Sequence, residues 1–245
     1  MSVPPRIALI TGGARRIGAA IVRHLHMQGW NVAVHAHQSG DTLAALVDEL
    51  CTSRPGSALA LQADLREGAA PAALIAHCVA HFGALDALVN NASNFYPTPL
   101  SEANAAQWDD LFAVNARAPF LLAQAAAPQL RARHGAIVNI TDLHARQPLP
   151  DYPIYGAAKA ALAQLTRALA LELAPQVRVN AIAPGAILWP EHGKHEAAQQ
   201  ALLARTPLAR TGTPGEIAEA VRWLLEDAGF ITGQTLKLDG GRELT

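Results

Sequence analysis

Cysteine is nearly missing from this chain: Cys51 and Cys78 are the only two in 245 residues, and neither sits in a metal-binding or redox pair. That count excludes a disulfide scaffold and a thiolate metal centre. No resident metal is expected, and the two thiols should lie buried or half-buried in a reducing compartment. Charge is also scarce. Asp, Glu, Lys and Arg make up 16% of the residues, and the formal net charge is −1. Without a basic block or stripe, nucleic acid is not an expected partner. No apolar run reaches the roughly 18 residues that cross a bilayer, so no membrane span is expected. The first residues, Met1 to Arg6, lead into strand-like sequence with no signal-peptide pattern, which points to the cytoplasm. Linkers, low-complexity segments and repeats of solenoid length are missing too, so one domain is expected.

What the chain does have is apolar sequence. Hydrophobic residues reach 51%, high for a lone soluble protein, and some outer surface should be covered by other subunits. Short apolar runs read as strands at Ile7–Thr11, Asn31–Ala36, Ala58–Gln62, Ala87–Asn90, Ala136–Thr141, Val177–Ile182 and Thr235–Asp239. Between them lie helical runs near Ile17–Gln28, Thr42–Cys51, Ala69–Phe82, Ala105–Arg133, Ile154–Leu173 and Pro214–Glu226. The alternation predicts right-handed crossovers and a parallel sheet with helices on both faces. The strands are apolar throughout rather than alternating, as expected when both sheet faces are buried. The fold class is therefore α/β: a Rossmann-like, doubly wound, seven-stranded parallel sheet. One stretch breaks the pattern. Ala186–Thr206 follows Pro184-Gly185 and holds Trp189, Pro190, Glu191, His192 and His195, with a short helix expected at Glu196–Arg205. Its place after a strand suits a substrate lid; the alternative is an ordinary connecting loop.

Two motifs carry chemistry. The first is Gly12-Gly-Ala-Arg-Arg-Ile-Gly18, between the first strand and the first helix. Glycine lets the backbone approach a pyrophosphate, and a helix N-terminus offers free N–H groups and partial positive charge. In that context the turn is good evidence for a dinucleotide. Arg16 can reach over the pyrophosphate toward a substrate, or it can be a solvated first-turn side chain. The second strand ends His35-Ala-His37-Gln38-Ser39 and lacks the acid that holds the ribose 2′-hydroxyl of NAD. His37, Gln38 and Ser39 could accept a 2′-phosphate instead, so NADPH is expected. Asp41 falls where the next helix should start and is expected as its N-cap.

The second motif is Tyr155-Gly-Ala-Ala-Lys159 on the Ile154–Leu173 helix, with Asp142 thirteen residues before the tyrosine at a strand end. An i, i+4 spacing places Tyr155 and Lys159 on one face. A free tyrosine has a pKa of about 10. A nearby ammonium lowers it toward working pH, whereas a neighbouring carboxylate competes for ionisation, so that one acid of the pair keeps a proton to donate.

Together these stretches resemble the short-chain dehydrogenase/reductase family, from about Arg6 to Gly241. Most members carry serine where this chain has Asp142. Aspartate there, Arg16 in place of the family's usual second glycine, and the stretch Asn90 to Leu100 are similar to its pteridine reductase branch; relatives in that branch tend to have arginine at the position of Gln38. The resemblance implies that Gly12, Ile17, Gly18, Asp64, Leu65, Asn91, Ala92, Ser93, Pro184 and Gly185 contact the cofactor. It implies that Lys159 holds the nicotinamide ribose and that Asn115 supports a water-linked proton path, although Asn115 could equally satisfy the backbone of a bent helix. Asp142 and Tyr155 would protonate a ring nitrogen as NADPH reduces a C=N bond of a pterin or folate. Phe95, with Ser93, Tyr152 and Leu188, would shape the pocket for the flat ring. Turnover should be faster at mildly acidic pH than at pH 8, and the resemblance further implies a homotetramer. Two other readings stay open: a short-chain reductase of ketones, quinones or 3-oxoacyl thioesters, and an NADP(H)-binding scaffold or sensor without catalysis.

Overall fold

The computed structural model describes residues 4–188 and 196–245. Seven parallel strands run in the order β3-β2-β1-β4-β5-β6-β7. They are β1 Ile7–Ile10, β2 Asn31–Ala36, β3 Ala58–Gln62, β4 Ala87–Asn90, β5 Ala136–Ile140, β6 Arg178–Pro184 and β7 Thr235–Leu238. The direction of winding reverses between β1 and β4, the place where open α/β sheets form a ligand crevice beyond the strand carboxyl ends.

The helices are α1 Arg16–Met27, α2 Gly40–Ser53, α3 Ala70–Phe82, α4 Ala105–Phe112, α5 Ala118–Arg133, α6 Pro153–Leu173, α7 Glu196–Ala204 and α8 Pro214–Glu226. Strand side chains alternate between two cores. Ala8 and Ile10 join Val22, Leu46 and Val221 beneath α1, α2 and α8, while Ile7 and Leu9 join Leu74, Leu122 and Leu173 beneath α3, α5 and α6. Both faces of each central strand are thus dry, and burying a Leu or Ile there stabilises the fold by about 1.5–3 kcal/mol.

Local signals fix the helix ends. Asn104 and Gln107 form a reciprocal capping box at the start of α4, and Thr213 and Glu216 another at α8, where Pro214 takes the first turn. Arg178, at the start of β6, donates to the carbonyls of Leu224, Leu225 and Ala228 and so satisfies the C-terminal end of α8. Cys78 is buried in the second core, which pushes its thiol up to about 12.

Two local expectations need correction. The run Ala105–Arg133 is not one α-helix: a π-turn at Ala113–Arg117 separates α4 from α5. The cause is Asn115, whose Nδ2 donates to the Leu111 carbonyl four residues earlier and takes the acceptor that its own backbone N–H would use. Asp41 is not an N-cap. Ser39 holds that position, and Asp41 sits inside the first turn of α2. The expected lid is described only in part. Its helix forms as α7, but Trp189, Pro190, Glu191, His192 and His195 lie outside the described residues.

Candidate active site

The crevice has two connected parts that share Ser93. One, of 530 Å³, is walled by Gly12, His37, Gln38, Asp64 and Phe95. The other, of 200 Å³, is walled by Arg16, Asp142, Tyr155, Lys159, Gly185 and Leu188. The glycine turn shapes the floor between them. Gly12 has φ +59°, and a Cβ on Gly18 would lie 2.1 Å from the Gly12 carbonyl oxygen, so the turn and the first helical residues can close up only without side chains. Asn91 braces this turn, with Nδ2 donating to the carbonyls of Thr11 and Gly12 at 2.9 Å each. The N-cap residue of α1, Arg15, makes no side-chain cap hydrogen bond, which suits the first N–H groups of the helix to an anion. These residues fit a bound dinucleotide pyrophosphate.

Arg16 keeps the backbone that a glycine would favour. Its φ is +52°, in the left-handed region, which costs a side-chain-bearing residue about 1–2 kcal/mol. Its Nη2 makes a long contact, 3.5 Å, to the carbonyl of Leu188 across the mouth of the crevice. Arg16→Gly should therefore leave stability unchanged or raise it by about 1 kcal/mol, while raising the KM of the organic substrate about tenfold through loss of the forked cation. Thermal unfolding and steady-state kinetics check both halves, and a lower melting temperature with unchanged KM would contradict them.

At the other end, the side chain of Asp64 faces Arg66, which forks onto it with Nη2 to Oδ2 at 2.6 Å and Nε to Oδ1 at 3.0 Å. That pairing holds the Asp64 carboxyl down to about 2. His37 lies 3.5 Å from the same carboxylate. Arg66, which carried no motif in the sequence, also approaches Asp110 Oδ1 at 3.4 Å. Leu65 is buried, and Ala92 closes over the glycine turn, where a Cβ on Gly12 would meet it at 2.9 Å. Helix α2 begins beside His37, Gln38 and Ser39 with no side-chain cap.

At the reacting end, the Tyr155 hydroxyl donates to Asp142 Oδ2 at 2.6 Å, a length typical of a hydroxyl on a carboxylate. The second oxygen of Asp142 accepts from the His144 N–H at 2.8 Å, which fixes the carboxyl in orientation. Burial and the adjacent Asp142 hold the Tyr155 pKa well above its ordinary value. Of the two opposing influences expected on the tyrosine, the carboxylate, helped by burial, outweighs the ammonium of Lys159. Lys159 Nζ donates to the Ile140 carbonyl at 3.0 Å and stands 5.8 Å from the centre of the Tyr155 ring, while the carboxylate meets the hydroxyl directly. Lys159 itself is only 2% exposed, and burial brings its ammonium down to about 8.

Ser93 Oγ donates to Asn115 Oδ1 at 2.7 Å, and Asn115 Nδ2 also donates to the Asn94 carbonyl. Both Nδ2 protons of Asn115 are thus engaged, joining the π-turn to the loop after β4. Phe95 is 49% exposed, stacks on Tyr152 at 4.6 Å and meets the edge of Tyr155 at 4.8 Å. Pro184 ends β6 and Gly185 follows it, where a Cβ would strike Asp239; Ile17 lines the smaller chamber.

The family description enoyl-(acyl carrier protein) reductase matches residues 12–243. Pteridine reductase 1 of Leishmania tarentolae is 36% identical over 280 aligned positions, covering 98% of this chain and 96% of the relative. The chain belongs to the short-chain dehydrogenase/reductase family. Other short-chain dehydrogenase/reductase relatives carry different names. A 3-oxoacyl-[acyl-carrier-protein] reductase of Staphylococcus aureus is 37% identical over 238 positions, covering 96% of each chain. An uncharacterized oxidoreductase of Mycobacterium tuberculosis is 37% identical over 243 positions, covering 96% of this chain and 91% of the relative. As a short-chain dehydrogenase/reductase this chain is an oxidoreductase, and the family uses NAD(P)(H). Among the described residues no group of three metal-ligating side chains occurs, and no helix is long and apolar enough to cross a membrane.

Proposed function

We propose that the chain reduces pterins, taking dihydropterins to tetrahydropterins and accepting oxidised pterins and folates. The observation that supports this reading most is the 2.6 Å hydrogen bond between Tyr155 and Asp142. In most of the family a serine at that position stabilises a carbonyl oxygen. A carboxylate there would repel a developing alkoxide but suits a reaction that ends with a proton on nitrogen. Bound NADPH supplies a hydride to the carbon of the C=N bond. The chain supplies the rest. Tyr155, kept protonated by its surroundings, and Asp142 hold the proton destined for the ring nitrogen. Lys159 holds the ribose, Phe95 and Tyr152 give the flat ring an aromatic wall, and Arg16 with Leu188 closes over it. His37, Gln38, Ser39 and the uncapped start of α2 favour the 2′-phosphate of NADPH over NADH.

A second reading, reduction of a ketone, quinone or 3-oxoacyl thioester, is favoured by the similar identity, 37% against 36%, to the staphylococcal 3-oxoacyl reductase. A non-catalytic NADP(H) scaffold is disfavoured by the Tyr155–Lys159–Asp142 set. A cytoplasmic homotetramer belongs to the proposal as well. NADPH oxidation with dihydropterin, folate, ketone and 3-oxoacyl substrates, each at mildly acidic pH and at pH 8, separates the readings. Turnover confined to pterins and folates and faster in acid is expected, because the pair must hold an extra proton to give one away. Turnover on the 3-oxoacyl substrate alone supports the second reading, and binding without turnover supports the scaffold.

A further inference from the structure

His35 lies at the carboxyl end of β2, is 1% exposed, and lines the wider part of the crevice from beneath. Its two ring nitrogens face two different walls. Nδ1 accepts from the Gly12 N–H of the glycine turn at 3.3 Å. Nε2 lies 3.1 Å from the Ala63 carbonyl, on the loop after β3 that carries Asp64 and Leu65. The Gly12 N–H can only donate and the Ala63 carbonyl can only accept, so both contacts form in a single state: neutral imidazole with its proton on Nε2. The backbone of the same strand end adds a third tie, because the Gly13 N–H donates to the His35 carbonyl at 2.8 Å.

We propose that His35 is a positioning residue for the dinucleotide, whose neutral Nε2–H ring ties the glycine turn to the loop after β3 and holds the adenosine end of the crevice at binding width. A proton on Nδ1 would set two donors against each other at Gly12, and that contact must open. The charged or titratable groups lining the same chamber are His37 on the same strand end, Asp64 and Arg66 after β3, and Asp110 on α4. Asp64 is taken up by Arg66 at 2.6 Å and by His37 at 3.5 Å. Burial lowers the His35 pKa, the Ala63 hydrogen bond raises it, and His37 lowers it further. The clamp is therefore intact at neutral pH and lost as pH falls through that lowered value, below about 6.5.

Two measurements test this. Imidazole 15N NMR of the parent protein without cofactor at neutral pH should show His35 as the Nε2–H tautomer. Calorimetric titration of NADP⁺ and NAD⁺ from pH 8 downward should show both weakening together about tenfold in acid, since NAD⁺ lacks a titrating 2′-phosphate. His35→Gln should bind about tenfold more weakly at neutral pH, lose the acid dependence, and keep kcat at saturating cofactor within about twofold. His37→Gln should retain the acid dependence. An Nδ1–H tautomer overturns the proposal. So does an acid loss that persists in His35→Gln, that disappears in His37→Gln, or that affects NADP⁺ alone. If His35→Gln does not fold, the tautomer and the paired titrations of the parent and His37→Gln decide the matter.

Discussion

Asp142→Ser should lower pterin turnover by about a hundredfold or more while NADP⁺ affinity changes by less than about twofold. The substitution removes the acceptor of the Tyr155 hydroxyl, at 2.6 Å, and with it the group that shares the tyrosine's proton. It leaves the glycine turn and the chamber around His37 and Asp64 untouched, and it takes from Lys159 the carboxylate that supports its charge. Serine also caps the short 3₁₀ turn Leu143–Ala145, which Asp142 now holds through the His144 N–H, so the turn should survive. Asp142→Asn separates proton sharing from geometry. Its amide oxygen can still accept from His144, but the amide cannot release a proton to a substrate, so the same loss is expected. Single-turnover rates and NADP⁺ titration for both variants check this. Full pterin turnover in Asp142→Asn would contradict the role given to the carboxyl.

Lys159→Met should abolish turnover and stabilise the protein without cofactor. Burial holds the Lys159 pKa at about 8 against 10.5 for a free lysine. At 1.36 kcal/mol per unit, that displacement is about 3 kcal/mol of destabilisation near neutrality. Loss of the hydrogen bond from Nζ to the Ile140 carbonyl returns about 1 kcal/mol, so a net gain of about 2 kcal/mol is expected for methionine, which matches the lysine stem in volume. The folded state binds fewer protons than the unfolded chain between the two pKa values. The penalty is accordingly complete below pH 8 and fades as pH rises toward 10.5, and the advantage of the variant should shrink over that window. Urea unfolding of parent and variant at several pH values measures it. A variant less stable than its parent at pH 7 would mean that the buried ammonium supports the fold.

Much of this molecule could be read in its sequence because one physical signal repeats. Strands buried on both faces are apolar throughout, so β1, β4 and β5 announce themselves within a residue of their ends. The glycines at 12 and 18 are demanded by a backbone approach that admits no Cβ, and Asp142, Tyr155 and Lys159 come together as their spacing and strand-end position suggest. What escaped depends on side chains answering distant backbone. The π-turn at Ala113–Arg117 exists because Asn115 captures the Leu111 carbonyl, and no periodicity reveals that choice. Arg66 gave no signal because its partner Asp64 lies only two residues away in an unpatterned loop. His35 looked like part of a polar strand end, although both its partners sit on other elements. Sequence places both an ammonium and a carboxylate beside the Tyr155 hydroxyl but does not weigh them; burial tips the balance to the side of the carboxylate.

The most direct measurement is a structure of the chain with NADP⁺ and a dihydropterin bound. The ring nitrogen next to the reduced carbon should lie within hydrogen-bond reach, about 3 Å, of Tyr155 Oη or an Asp142 oxygen, with the ring against Phe95. A pterin seated away from both oxygens, or admitted only after Asp142 has turned from Tyr155, would contradict it.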